Sequence, residues 1–500
     1  MVDYRDHKPI TIDEFNGLWK RGDDENVPLD HFSDGKNVQF FDGGYRTRDG
    51  LAPYNVSDDC INLFNVRRIH SYRSQGASDS ILVLDTLGNI YHSASPTPCT
   101  PILSIPAMTD FSILAIGTKV YISPHDGTLG LENEFIYVYQ GNGVPARKAA
   151  GAKPLGVLTG VESATVGIIE AGVHIYGVLY ETETGFLTAP AGFVAVTSTG
   201  GFKVDLSNIP VPPSIYVVKK HVVATRAINP TLFTGNLEGY QFLFIPDAEL
   251  TPAQTTYSAS FYDVELLDDA SHLLDNLEEI PAAAAINKFS DRMVIGGIWG
   301  ENNAEWVIVR VSEPGEPEAF NSVDGLFSVE ADDYPITNLQ EYRDALYIFK
   351  QIRTYAVQDN GNFPSTWKPI VIDQGVGASV HGVAQVLDSG GINIEYLFTI
   401  DWSGVMIFGG TFSRPEFSYK IRDLWLGLSR TLFNKMQIVN SSIKQHLFIV
   451  LPDGSILHGD YSQGASFDKI KWIPFTFDAF ITTITLINTD TLILGALEEV

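Results

Sequence analysis

Ile336-Thr337-Asn338-Leu339-Gln340-Glu341-Tyr342-Arg343-Asp344-Ala345-Leu346-Tyr347-Ile348-Phe349-Lys350 reads as a strand, a polar turn at Glu341 to Asp344 and a returning strand. Gln351-Ile352-Arg353 then leads into another short strand, Thr354-Tyr355-Ala356-Val357. Upstream, the β-branched run Val307-Ile308-Val309-Arg310-Val311 predicts a strand that stops at Ser312-Glu313-Pro314-Gly315-Glu316-Pro317, where two prolines and a glycine oppose regular structure. Short antiparallel strands joined by tight turns make a meander. With apolar residues on both faces it needs cover on both sides, a demand met by propeller blades packed face to face around an axis.

The same device recurs in both directions. Ile81 to His92 predicts a hairpin turning at Gly88-Asn89, Phe111 to Ile122 one turning at Gly117-Thr118, and Phe135 to Arg147 one turning at Gln140-Gly141-Asn142-Gly143. Lys288 to Gly297 restarts the series, Tyr396 to Gly410 repeats it around Asp401-Trp402-Ser403-Gly404, and His446 to Tyr461 does so around Pro452-Asp453-Gly454-Ser455. Between the last two, Tyr419 to Phe433 predicts a helix with Leu424, Trp425 and Leu428 on one face. A terminal strand, Thr491 to Ala496, is expected to lie beside the N-terminal strands and seal the ring.

Residues 155–278 have a different texture. Hairpin strands from Val173 to Pro190, Thr- and Val-rich strands from Val194 to Leu206, a long strand from Ile215 to Thr225, and strands at Tyr240 to Ile245 and Thr255 to Phe261 give about seven in about a hundred residues. The expected fold is therefore all-β: a β-propeller with an inserted immunoglobulin- or fibronectin-like β-sandwich and an extended N-terminal arm. The boundaries are 1–55 for the arm, 56–154 for the first part of the propeller, 155–278 for the sandwich and 279–500 for the remainder. The arm alternates little, and its isolated aromatics Phe15, Trp19, Phe32 and Phe40 require another surface to bury them.

Composition narrows function. The formal charge is -27, from 33 Lys plus Arg against 60 Asp plus Glu, so nothing drives tight binding to a phosphate backbone, while an acidic wall lets DNA pass without sticking. Cys60 and Cys99 lack metal-ligand spacing and read as free thiols. The polar start Met1 to Lys8 shows no secretory signal, and no apolar run reaches the ~20 residues of a membrane helix. Gly377-Ala378-Ser379-Val380-His381 fails the nucleophile-elbow pattern at its last position, and neither Gly35-Lys36 nor Gly141-Asn142-Gly143 has phosphate-loop context. The eleven histidines show no paired spacing and read as turn or surface residues. Acidic pairs at Asp23-Asp24, Asp58-Asp59, Asp268-Asp269 and Asp332-Asp333 match no EF-hand loop and read as solvated turns. No catalytic set, metal site or cofactor is expected.

Phe15-Asn16-Gly17-Leu18, Asn37-Val38, Gly43-Gly44 and Arg46-Thr47-Arg48-Asp49-Gly50 together resemble the opening of tailed-bacteriophage virion propeller proteins of the tail-nozzle, or tail tubular, type. Ser312 to Asn321, Pro335-Ile336-Thr337, Leu346 to Lys350 and Asp401 to Gly410 look like later landmarks of the same proteins; the arm departs from the pattern at Leu18-Trp19, where a second glycine is common. The resemblance implies a non-enzymatic structural subunit of a phage tail or neck, made in the host cytoplasm. Such subunits form a ring with copies of themselves around the DNA exit channel, contact adaptor and fibre proteins, and let DNA pass without specific binding. Phe15, Trp19, Phe32, Arg46 and Arg48 are the expected inter-subunit contacts, shared with the sandwich. The rival readings are a receptor-binding tail adhesin and, behind it, a propeller enzyme that degrades glycans.

Overall fold

The computed structural model describes residues 65–73, 79–93, 100–141, 143–236, 239–300, 303–330, 332, 334–387, 393–413, 419–462, 470–487 and 491–497, together with the backbone of 38–41 and 44–47. The chain is nearly all β. Among the described residues seven antiparallel sheets are built from strands that neighbour one another in the chain, paired in chain order except for the last strand of the third. Blade 1 holds Val66–Tyr72, Ser80–Asp85, Asn89–His92 and Leu103–Ser104; blade 2 holds Asp110–Ile116, Lys119–His125, Tyr137–Tyr139 and Arg147–Lys148. Blade 3 holds Ala283–Phe289, Arg292–Ile298 and Ile308–Glu313, the last pairing with both Glu316–Phe320 and Leu326–Ser328. Blade 4 holds Ile336–Tyr342, Ala345–Lys350, Thr354–Val357 and Ile370–Asp373, and blade 5 Val383–Leu387, Ile394–Asp401, Gly404–Phe408 and Phe412–Ser413. Blade 6 holds Gln437–Ser441, His446–Val450, Ile456–Asp460 and Lys471–Phe475; blade 7 has two described strands, Phe480–Ile487 and Thr491–Leu497.

Local chemistry explains the tight hairpins. Arg343 and Asp344 in blade 4 (φ 48° and 59°), like Ser290 and Asp291 in blade 3 (φ 46° and 59°), take left-handed backbone in succession. Two-residue turns of that hand match the twist of the strands they join. The apolar faces then pack between blades: Val294, Val309 and Val311 of blade 3 share a core with Leu339, Leu346, Ile348 and Tyr355 of blade 4 and with Trp367. Phe398, Ile400 and Val405 of blade 5 do the same with Leu447, Ile449, Leu457 and Trp472 of blade 6.

One polar link between successive first strands, made in blade 5 by the residues just ahead of its first strand, closes the series into a ring. His70 Nε2 meets the Phe111 carbonyl at 2.8 Å, Ser112 Oγ donates to the Ala284 carbonyl at 2.7 Å, and Asn287 Nδ2 donates to the Leu339 carbonyl at 2.6 Å. Asn338 Nδ2 donates to the Val380 carbonyl at 2.6 Å, and the Ile438 amide to the His381 carbonyl at 3.0 Å. Thr483 Oγ1 donates to Gln437 Oε1 at 2.8 Å and accepts from the Ile69 amide at 3.1 Å, returning the circuit to blade 1. An isolated bridge, Asn65 to Leu497, adds backbone pairing at the seam. This closed circuit makes the molecule a propeller, with the C-terminal strands beside the first blade.

Between blades 2 and 3 lie two further sheets, Thr159–Ile169, Phe202–Ser207 and Tyr257–Ala259 against Ala191–Ser198, Gly172–Thr182, Val217–Ala224 and Leu243–Leu250. Both contribute to one core, with Ile169, Val204, Leu206 and Ala259 from the first and Tyr176, Val178, Val222 and Ala224 from the second. Lys220 is fully buried there, its ammonium donating to the carbonyls of Pro210 and Gln254. A buried polar knot ties this unit to the propeller. Glu318 of blade 3 accepts from the Ala150 amide at 2.7 Å and the Tyr121 hydroxyl at 3.3 Å, and pairs at 3.5 Å with Arg147. Arg147 turns its other nitrogens to Glu183 at 3.1 Å and Thr184 at 3.1 Å, beyond the end of Gly172–Thr182.

Several expectations need correction. The Pro314-Gly315 break is a hairpin turn, and Pro317 sits inside the strand Glu316–Phe320, a laterally placed position where a missing amide hydrogen is tolerated. The helix expected over Tyr419 to Phe433 is three short pieces, Tyr419–Ile421, Arg422–Leu426 and Arg430–Lys435, broken at Gly427, although Trp425 is buried as its face required. The hairpin expected from Val173 to Pro190 is reduced to one bridge, Glu181 to Leu187, because Gly172–Thr182 pairs with Ala191–Ser198 and Val217–Ala224 instead. No described helix is long and apolar enough to cross a membrane.

Candidate functional site

The first strands of all seven blades line one axial cavity of about 260 Å³, with His70, Ser112, Asn287, Asn338, His381, Gln437 and Thr485 among its walls. Directly beside it lies a buried ion pair. Asp110 opens the first strand of blade 2, where its carboxylate receives Arg68 of blade 1 through Nε at 2.8 Å and Nη2 at 2.6 Å. The remaining acceptor capacity takes the Phe111 amide at 2.8 Å and His381 Nε2 at 3.1 Å. Arg68 in turn gives Nη1 to Gln437 Oε1 at 2.9 Å. A second cavity of about 520 Å³, lined by Arg67, Asp126, Lys435 and Phe480 among others, opens on the far side of the pair.

Hydrogen-bond partners fix the imidazole tautomers. His70 Nε2 faces a carbonyl oxygen, so it carries the proton, and His381 Nε2 faces a carboxylate, so it does too. His125 accepts the Gly127 amide at Nδ1 (3.0 Å) and therefore donates through Nε2 to Ser112 Oγ (3.1 Å), whose own proton goes to Ala284. Burial, reinforced by the neighbouring His381 and Arg68, pushes the His70 pKa down to about 3; burial pushes His125 down to about 4 and lowers His381 as well. Burial alone raises an acid, yet the Arg68 guanidinium and the facing imidazoles hold Asp110 well below the ordinary carboxylate range. The pocket thus presents neutral imidazoles beside a compensated ion pair. His70, Asp110 and His381 each bring one nitrogen or oxygen within 4.8 Å of the other two.

None of this cluster stood out in the sequence as a site. Positions 70, 110, 125 and 381 come from four strands or their approaches and meet only when the ring closes, so no local spacing marks them. The reading of histidines as turn or surface residues fails here: His125 and His174 are fully buried, and His458 is nearly so. His381 belongs to the very pentapeptide rejected as a nucleophile elbow, and Ser379 in it is buried with its hydroxyl unpartnered. Of the expected contact residues, Phe15, Trp19, Phe32 and Arg48 lie outside the described residues, as do Cys60 and Cys99. Arg46 stands opposite Gln39 in a hairpin of Val38–Phe41 and Gly44–Thr47. Of the acidic pairs, Asp332 is no solvated turn residue: it holds the buried Lys350 at 2.6 Å and Arg353 at 3.3 Å.

No protein-family model matches this chain, and no curated protein does. Among solved structures, Kluyveromyces lactis Hsv2 aligns at 10% identity over 82% of this chain and 97% of its own, with a TM-score of 0.28. BamB from Moraxella catarrhalis aligns at 11% identity over 69% of this chain and 98% of its own, with a TM-score of 0.26. Likeness at that level carries no argument; the propeller rests on its own closed circuit of strands.

Proposed function

We propose that this chain is a structural, ring-forming subunit of a bacteriophage tail or neck, of the nozzle type, in which the propeller is the rigid body and the two-sheet unit meets neighbouring subunits. One observation carries the placement of the contacts. Of the twenty large apolar side chains exposed among the described residues, eleven fall between Leu155 and Leu267, including Val161 and Val166 on the strand Thr159–Ile169, Ile215, Val264 and Leu267. Such concentration on one unit of an otherwise acidic protein favours burial against another chain. In this reading the two-sheet unit is an immunoglobulin- or fibronectin-like sandwich, and the N-terminal arm lies on a neighbour. Side chains fill the propeller axis at the level of Arg68 and Asp110, so DNA passes along the ring's shared lumen and not through any one propeller.

Light scattering and electron microscopy of the purified protein, alone and with tails stripped of it, test this. A ring, or re-addition at the axial end of the tail, supports the reading, and Val161→Asp with Val166→Asp should then reduce assembly while leaving the monomer folded. A stable monomer that never joins a tail but binds host envelope polysaccharide overturns it in favour of an adhesin; clearing of that polysaccharide would point to an enzyme.

A further inference from the structure

We propose that the axial cavity holds a transition-metal cation through Nδ1 of His70 and Nδ1 of His381. A histidine that binds a metal with one ring nitrogen nearly always donates its other N–H to a carboxylate or a backbone carbonyl, which fixes the ring and its tautomer. Both arrangements are present. His70 gives Nε2–H to the Phe111 carbonyl, and His381 gives Nε2–H to Asp110. Each ring therefore keeps its lone pair at Nδ1, and both residues line the same cavity.

Their ring centres are 5.2 Å apart. Two imidazoles bound at about 2.1 Å to one tetrahedral ion have their centres roughly 5 Å apart, so the spacing suits a shared ion. His125, whose ring centre lies 5.7 Å from that of His381, serves as the internal contrast. Its Nδ1 already accepts the Gly127 amide, which leaves it no lone pair to give.

Asp110 is a positioning residue and not a ligand. Both its oxygens are engaged by Arg68, the Phe111 amide and His381, and the guanidinium cancels the charge that would attract a hard cation. Two nitrogen donors with no free carboxylate select zinc, cobalt or nickel over calcium or magnesium. Water occupying the cavity completes the coordination, hydrogen-bonded by polar wall residues such as Ser71, Asn338 and Gln340.

The test is titration of the full chain, stripped with a chelator, with Zn²⁺ by calorimetry and with Co²⁺ by visible absorption. One equivalent per chain is expected, with Co²⁺ bands of a low-symmetry nitrogen site and no comparable binding of Ca²⁺ or Mg²⁺. His70→Gln and His381→Gln should each weaken Zn²⁺ binding at least tenfold and abolish the Co²⁺ bands, whereas His125→Gln should retain both. Asp110→Asn should weaken binding by about 10–100-fold, as loss of an orienting partner does. Circular dichroism of each variant separates loss of the site from loss of the fold, and a Zn²⁺-dependent rise in Tm seen in wild type and His125→Gln but absent from folded His70→Gln gives a second readout. Absence of stoichiometric binding, or binding that survives in both His70→Gln and His381→Gln, overturns the proposal.

Discussion

Two buried ion pairs join parts of this chain that are far apart in sequence, and they are built differently. At the propeller axis one guanidinium, Arg68, faces one carboxylate, Asp110, in a two-pronged pair whose spare capacity is taken by neutral partners. Where the two-sheet unit joins the propeller, one guanidinium, Arg147, is divided between two carboxylates, Glu318 and Glu183, and Glu183 keeps 29% of its side chain exposed. The axial group pairs one cation with one anion and keeps both almost wholly buried; the joint sets Glu318 and Glu183 against Arg147 and the neighbouring Lys119 and leaves Glu183 partly in water. Deeper burial raises the cost of losing one partner, because the survivor is poorly solvated where it stands. Of the two contacts, the axial one is thus the more sensitive to losing a partner, and the joint the more tolerant of damage.

The sharpest way to break this contrast is Asp110→Ala. It strands Arg68 in the interior and should cost about 3–5 kcal/mol in denaturant unfolding, with much of that recovered by Arg68→Met in the same chain. A single loss that proves mild would erase the distinction between the two knots. Glu318→Ala should cost less, about 2–3 kcal/mol, since Arg147 keeps Glu183 and Thr184; limited proteolysis should detect loosening near residues 147–152 before global unfolding.

Acid sharpens the comparison further. His70 and His125 are held at about 3 and about 4, below their unfolded value of 6.5, so the unfolded chain binds more protons than the folded one across that interval. Stability should decline as pH falls below 6.5 and this contribution should level off once the pH passes below those folded values. The Asp110 contribution, from an acid held low, is lost only under more acidic conditions, as its folded pKa is approached. His458, stacked between Phe448 and Phe475 with neither ring nitrogen partnered, adds to the same loss. His458→Phe should therefore stabilise the protein at neutral pH by about 1 kcal/mol and flatten the acid limb, checked by thermal melts from pH 7 to 4. At the bottom of the scale, Lys219→Ala removes an exposed pair with Glu249 and should leave the unfolding midpoint unchanged.

The blades were legible because their signals are local. Alternation and turn residues around Gly88, Gly117, Ser290-Asp291, Arg343-Asp344 and Gly404 lie within a dozen residues of the strands they specify, and the observed hairpins follow them. The strand Thr159–Ile169 carries little signal in its sequence, Thr-Gly-Val-Glu-Ser-Ala-Thr-Val-Gly-Ile-Ile, because all but its last residue are exposed or half-buried and it lacks an apolar alternation. The helical region near Trp425 showed the right face but hid the break, since Gly427 ends Arg422–Leu426 only two residues beyond it. The axial cluster was illegible for a different reason. A histidine at position 70 and another at 381 acquire a relation only through ring closure, and no pattern along the chain encodes that.

Closure itself has a consequence for how the molecule comes to exist. The hydroxyls of Thr483 and Thr485 receive the backbone amides of Ile69 and Ser71, contacts that span 414 residues. Blade 1 leaves the ribosome early, yet its first strand has no neighbour on that side until the last blade has been synthesised. Long-range pairing of this kind is slow, and it leaves an unpaired edge available to other chains in the meantime. Polypeptides stalled before residue 480 should accordingly be aggregation-prone species, which makes the strand Phe480–Ile487 a timing element in biogenesis as well as a seam.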